Sequence, residues 1–477
     1  MGSLKFQECS REMIKSPFFQ FAALFLLLLF FNFDSLTAPP FWDDIIGLHT
    51  QSVWLARNQF DLQGLISAPR SPGSPLYNLF SPMAYIYAAA YRFTTPEATR
   101  LLAHMLNIAS IAGCGVLLWR MAGKTSVFLK ILCLAGALSC PLTVSACAGM
   151  GQESLLAFLI FLSLFLKFKR CAAGAWSVSV ISWFFKLTGA LLTLAYLCEK
   201  LFLCVRQKKV KLKNLAFYLF VAVAAIGYYL WHFSGQQTHF KWKIEDVFSL
   251  ICNAYWSLLP LFAAALLLNR KRIWSCRLRG GAAFVLLFWC ANFFSSMAAL
   301  PRYGTVIVFP VFYLLGAGLR RISLKSGCCI AGIVLVFHLC NLYGTFLPAP
   351  RPVELHDGSF MERSREFTIM RSQDAEFCRL LEREKGDRPL VCTWPMLQML
   401  TVPEFGYVAS PLKNVYAGEY THPLGNFKKM NRELLKQDPL FIFTPDCYSW
   451  KIPRNARIVF ASNQKEPLKG YLIWQLR

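Results

Sequence analysis

Apolar runs close to the ~20 residues that cross a bilayer as a helix recur along this chain. They lie at roughly 18–33, 76–93, 101–119, 126–145, 154–166, 172–188, 189–205, 214–231, 249–268, 280–298, 304–319 and 327–346. Only 16% of the 477 residues are charged and 56% are hydrophobic, whereas soluble domains carry about a quarter charged. The excess of Lys+Arg 50 over Asp+Glu 26 would suit nucleic acid if it covered one surface. Here it is broken into bursts between apolar runs, the layout of a polytopic membrane protein under the positive-inside rule. No nucleic-acid partner is expected.

Charge also sets the topology. If the 76–93 segment lies along the membrane surface, the clear basic bursts all fall on one side. These are Lys5/Arg11/Lys15, Arg120/Lys124, Lys167/Lys169/Arg170, Arg206 to Lys213, Arg270/Lys271/Arg272 and Arg320/Arg321/Lys325. The chain is therefore expected to form about eleven transmembrane helices, multi-pass in the cell (inner or plasma) membrane, with a cytoplasmic N-terminus. Residues 1–346 make the transmembrane domain, with 34–99 as a first outer loop carrying the surface helix. Residues 347–477 make a small extracytoplasmic α/β domain, because charged and turn residues return there. In it the short β-like runs 389–393, 440–444, 458–461 and 471–476 alternate with helical stretches near 372–385 and 425–437. Pro39-Pro40 is a poor cleavage context, so the first apolar run is read as an uncleaved anchor.

Seventeen cysteines suggest no metal site, since none forms a CxxC pair and most lie inside apolar runs. Chemistry is better sought in polar residues on the outer side. Asp43 and Asp44 follow the first span, and a carboxylate there can take a proton from an attacking hydroxyl or amine. A capping Asp in a solvated loop would look the same. Arg70 and Tyr77 flank the Pro-rich start of the surface helix, either as an ordinary helix-start turn or as part of the pocket that Asp43 faces. Arg100, Lys186 and Arg302 stand against apolar segments on the outer side, where basic residues run against the charge rule. Together they could neutralise a phosphate, although each could simply snorkel to the interface. Gln152-Glu153 opens the fourth span, as a site acid or as a complement to the helix dipole.

In this order the features resemble the GT-C superfamily of membrane glycosyltransferases. The likeness is to the bacterial branch related to protein mannosyltransferases and lipid A aminoarabinose transferase. It covers roughly 18–346 and rests on Trp-Asp43-Asp44, Ser74-Pro75-Leu76-Tyr77, Arg100-Leu101-Leu102, Glu153, Phe-Lys186-Leu-Thr and Pro-Arg302-Tyr303. The family commonly has Asp-Glu in place of Asp43-Asp44. Ser74 replaces a basic or His residue often found before its Pro-Pro-Leu, with Arg70 nearby.

The resemblance implies an inverting transferase moving a sugar from a polyprenyl-phosphate-sugar donor to a lipid, glycan or protein acceptor on the outer face. Asp43 would be the general base, with Asp44 and Glu153 orienting it or the acceptor. Arg100, Lys186 and Arg302 would hold the donor phosphate, and Arg70, Tyr77 and Tyr303 would contact substrate. No cofactor is called for, a divalent cation being left open. The rival reading is a transporter or a flippase for lipid-linked sugars, against which stands the lack of an inverted repeat. A membrane receptor is a third.

Overall fold

Proline decides where the helices of this chain begin and bend. The computed structural model describes residues 16–40, 44–68, 76, 78–207, 216, 219–220, 223–224, 227, 258–272, 275–293, 301–343, 375–383, 385–392, 394–417, 440–443, 456–461 and 472–476. Helices α1 (Pro17–Phe31), α2 (Thr50–Arg57), α3 (Pro82–Phe93), α4 (Pro96–Met121), α5 (Val127–Leu138), α6 (Pro141–Ala148) and α7 (Glu153–Phe168) come first. They are followed by α8 (Ala172–Ile181), α9 (Leu187–Gln207), α10 (Leu258–Asn269), α11 (Cys276–Phe293), α12 (Thr305–Leu319) and α13 (Leu324–Tyr343). Pro17, Pro82, Pro96 and Pro141 open α1, α3, α4 and α6, where a missing N–H costs nothing. Thr95 completes the start of α4 by accepting the Ala98 N–H at 3.2 Å.

The sequence suggests one uninterrupted span over 126–145, but the structure bends it by 57° between α5 and α6. Cys140 is forced out of helical geometry (ψ 128°) because Pro141 follows it. Thr143 donates its hydroxyl to Ala137 O at 2.9 Å, satisfying a carbonyl that the bend releases. The bend delivers the chain to the loop that carries Glu153.

Among the described residues, α4 is the one unbroken helix long and apolar enough to cross a bilayer, and α5 with α6 passes as a bent pair. Shorter apolar helices surround them, including α1, α10, α12 and parts of α11 and α13. α12 is buried on nearly every side, with Phe309 packed 5.8 Å from Phe161 of α7. Outward faces are just as apolar: Phe30 of α1, Leu267 of α10 and Ile333 of α13 are exposed. A bundle that turns such side chains outward is built for a hydrocarbon solvent. The protein is a polytopic membrane protein. The number of spans is left open, because the apolar run at 214–231 lies largely outside the described residues, as do 232–248, 347–374 and the helical stretch near 425–437.

The C-terminal part forms a five-stranded mixed sheet in the order β2-β1-β3-β5-β4. Its strands are β1 (Leu390–Cys392), β2 (Val415–Ala417), β3 (Leu440–Phe443), β4 (Ala456–Ala461) and β5 (Leu472–Leu476). β1 runs parallel to β2 and β3, while β5 is antiparallel to β3 and β4. β2 is not among the strands expected from the sequence pattern. The sheet region is joined to the 34–99 segment. Ile45 and Val53 share a core with Phe377, Met399, Phe405 and Tyr407. The Tyr407 hydroxyl donates to Pro40 O at 2.8 Å. Arg57 clamps both oxygens of Glu404, at 2.7 and 2.6 Å.

Candidate functional site

A three-residue loop, Gly149-Met150-Gly151, is the frame of the site. Asn107 of α4 donates its Nδ2 to Gly149 O at 2.9 Å. The Met150 N–H is given to Asp44 Oδ2 at 3.1 Å, and Met150 O faces His49 Nε2 at 3.2 Å. Just after the loop, Gln152 accepts from Ser81 at the start of α3. The 44–49 segment and α4 therefore pin the loop backbone, Ser81 holds the Gln152 side chain, and Glu153 projects from the end.

Glycine at 151 is what lets the acids meet. A Cβ there would overlap Glu153 Oε2 and stand 2.7 Å from Asp44 Oδ1. The two carboxylates thus face each other across the space an absent side chain leaves. Glu153 Oε1 takes Lys186 Nζ at 2.5 Å, with side chains only 10% and 16% exposed. Lys186 Nζ also lies 3.9 Å from the centre of the Tyr303 ring, a cation–π contact. Lys186 reaches this position because the chain breaks after α8 into a 3-10 turn, Ser182–Phe184, before α9. Gly189 permits that tight reversal: a Cβ would overlap Ser182 O.

His49, Tyr87 and Tyr91 line the same region, and the sequence did not nominate them. His49 stacks on Tyr87 (5.0 Å, 12°) and meets Tyr91 edge-on (6.0 Å, 83°). A nitrogen facing a carbonyl must carry the proton, so Nε2 donates to Met150 O. Nδ1 then accepts from the Tyr91 hydroxyl at 3.0 Å. Burial above all, helped by the nearby Arg100 charge, holds His49 down at about 4, despite the Met150 bond. The ring is neutral at pH 7, which suits a positioning role. Tyr87 is fully buried, and its hydroxyl has no hydrogen-bond partner among the described residues. Burial, then the fields of Asp44, Tyr91 and Glu153, push its phenol well above the usual range. A buried O–H beside two carboxylates is a donor in waiting. The legible signal was the i, i+4 spacing of the two tyrosines on α3.

The structure brings Asp44, Glu153, Lys186 and Tyr303 together from four segments. Arg100 stands in the first turn of α4, where Nη2 pairs with Glu97 at 3.0 Å and Nη1 donates to Glu404 O at 3.3 Å. Its hydrogen bonds thus run toward the sheet region, while its charge is felt at His49. Asp43, Arg70 and Tyr77 lie outside the described residues. Arg302 belongs to the 3-10 turn Pro301–Gly304, directly before Tyr303, with its side chain outside the described set. Among the described residues, no three His, Cys, Asp or Glu side chains gather closely enough to hold a metal ion. Chemically, the wall offers carboxylates to take a proton and a buried ammonium to meet an anion.

The same arrangement of elements is known in solved structures. A crystal structure of ArnT from Cupriavidus metallidurans bound to undecaprenyl phosphate superposes with a TM-score of 0.55 at 12% identity, covering 95% of this chain and 97% of that chain. The apo state of that protein gives a TM-score of 0.55 at 14% identity with the same coverage. This chain shares its fold with ArnT. At that identity the likeness is one of fold, and it agrees with the resemblance read from the motifs. No protein-family model matches the sequence, nor does any curated protein.

Proposed function

We propose that the chain is an inverting glycosyltransferase that takes a sugar from a polyprenyl-phosphate donor and passes it to an acceptor at the acid-lined end of the bundle. The observation that carries this reading is the facing pair Asp44 and Glu153, with Glu153 held by Lys186 over Tyr303. A carboxylate pair can accept the proton of the attacking acceptor. Asp43 is assigned as the base, with Asp44 orienting through the Met150 N–H that fixes it.

The transition state gathers positive charge on the sugar and negative charge on the departing phosphate. Lys186, Arg302 and Arg100 supply the balancing cations, where preorganised charge lowers the barrier most. They need no cofactor to do so. Arg70, Tyr77 and Tyr303 are assigned to substrate contact. The lipid carrier fits a fold that, in ArnT, is found with undecaprenyl phosphate bound. The acid-lined end is taken as the outer face, with the N-terminus in the cytoplasm and the sheet region as an extracytoplasmic domain. The sugar class and the acceptor, whether lipid, glycan or protein, are left general. A transporter would place its polar site near mid-bilayer, between broken helices; here the acids stand at a helix start.

The test is transfer of radiolabelled sugar from a polyprenyl-phosphate sugar in purified membranes. Arg302→Lys is expected to weaken donor affinity and turnover, because a planar guanidinium holds two phosphate oxygens and an ammonium does not. No transfer with any polyprenyl-phosphate sugar would remove the reading. Wild-type kinetics in Arg302→Lys would remove Arg302 from the site.

A further inference from the structure

At the other end of the bundle, the ends of α4, α5, α7, α11 and α12 surround a cavity of about 740 Å³. Its charged lining among the described residues consists of Lys124, Lys130, Arg272, Arg320 and Arg321, with no carboxylate. Along α4, this end lies about 20 Å from the Asn107 that anchors the candidate site. We propose that the cavity binds an anionic lipid of the adjoining leaflet, holding its phosphate headgroup among these cations and its chain along the apolar wall.

Basic residues at one end of a membrane bundle are ordinary, and by themselves they indicate only orientation. Three further observations distinguish this set. Though four of the five are exposed, all of them line one concave space between helices, walled by Phe168, Phe312 and Leu129. They have been left without countercharge: none of the five forms an ion pair among the described residues. The only acid described at this end, Glu199, is already engaged by Lys167 and Arg279. They also crowd one another. Desolvation, then the charges of Arg272 and Arg320, pull Arg321 below the usual arginine value. Lys130 reaches over the Trp119 ring at 5.2 Å, an aromatic at the position where headgroups meet hydrocarbon.

Crowded cations in a pocket that is half apolar are suited to a phosphate carrying a hydrocarbon chain. Basic pockets between helices bind lipid headgroups in this way. Free phosphate would use the charge and leave the apolar wall unfilled. The site is independent of the proposed transfer reaction, since its ligand needs no sugar.

The experiment uses the full chain in neutral detergent, titrated with dioleoylphosphatidylglycerol, dioleoylphosphatidylcholine or inorganic phosphate, with binding followed by native mass spectrometry and thermal midpoint. Phosphatidylglycerol should bind and raise the midpoint, and phosphatidylcholine should not. Arg272→Gln with Arg320→Gln should weaken phosphatidylglycerol binding by roughly 20-fold or more, at about fivefold per lost cation. Lys169→Gln with Arg170→Gln removes as much charge at the same end but outside the cavity, and should change binding little. Lys124→Gln, a single exposed change in a turn, should give a loss of a few fold and guards against misfolding of the double variant. Equal losses in the two double variants would mean diffuse attraction, and would overturn the proposal. So would an inorganic phosphate shift matching that of phosphatidylglycerol, which would mark a soluble-anion site.

Discussion

Two cavities at opposite ends of the molecule treat charge in opposite ways. The cleft beside the sheet region, about 520 Å³, is lined by Arg57, Glu97, Glu382 and Glu404, among others. Arg57 holds Glu404, Glu97 holds Arg100, and Glu382 accepts the backbone N–H groups of Ala409 and Ser410. The cavity at the other end carries five cations and no acid among the described residues. Where a chain neutralises its own charges, the contacts serve to join its parts. Where like charges stand together with no acid among the described residues, the site suits an anion. The candidate site lies between these cases: Glu153 and Lys186 neutralise each other, and Asp44, which accepts the Met150 N–H, faces them.

The largest effect expected concerns the acids. Asp43→Asn should lower sugar transfer by about 10²–10⁴-fold, as loss of a general base does, with donor binding retained. Indifference to both Asp43→Asn and Asp44→Asn in the transfer assay would end the assignment of this end as the reactive one.

Next come the two buried acids that sit against cations. Glu199→Gln leaves Lys167 and Arg279 facing each other with side chains 21% and 11% exposed, and should cost about 3–5 kcal/mol in thermal or denaturant unfolding. Glu153→Gln strands only Lys186, which keeps the face of Tyr303, and should cost less. The reverse order would show that the pair at the candidate site is the structural one.

His49 gives a pH test. Its folded value of about 4 lies below the 6.5 of the unfolded chain, so between those pH values the unfolded state binds more protons. Stability contributed by neutral His49 is complete above pH 6.5 and is lost as pH falls toward 4, amounting to roughly 3 kcal/mol. The slope of stability against pH in that window should flatten in His49→Gln. An unchanged slope would assign the acid sensitivity elsewhere.

The smallest effect is at the joint between the 34–99 segment and the sheet region. Arg57 is half exposed, so Arg57→Ala should cost under about 1 kcal/mol despite its bidentate geometry. A larger loss would mean that the ion pair, rather than the core shared by Ile45 and Phe405, holds the sheet region in place.

The helical bundle and its charged ends were legible because hydropathy and charge act locally: each apolar run must find a nonaqueous surface whatever its neighbours do. Residues 100–343 contain only four acids, Glu153, Glu199, Glu245 and Asp246, so an excess of cations was certain before any folding. Pro141 and its bend were present in the sequence but were overruled by the continuity of the apolar run. His49 could not be recognised, since a buried ring that packs and a buried ring that positions have the same composition around them; for Tyr87 the only signal was its i, i+4 spacing to Tyr91.

The sequence alone determined which side chains could carry charge or take a proton, and that the chain would be solvated by lipid. Only the tertiary structure decided that Asp44, Glu153, Lys186 and Tyr303 share one wall. That decision rests on a bend at Pro141, a missing Cβ at Gly151 and a reversal at Gly189. It also decided that Arg272 meets Lys124 and Arg320 around one cavity. Such meetings depend on how helices cross and where their ends align, which is set by packing between segments far apart in the chain.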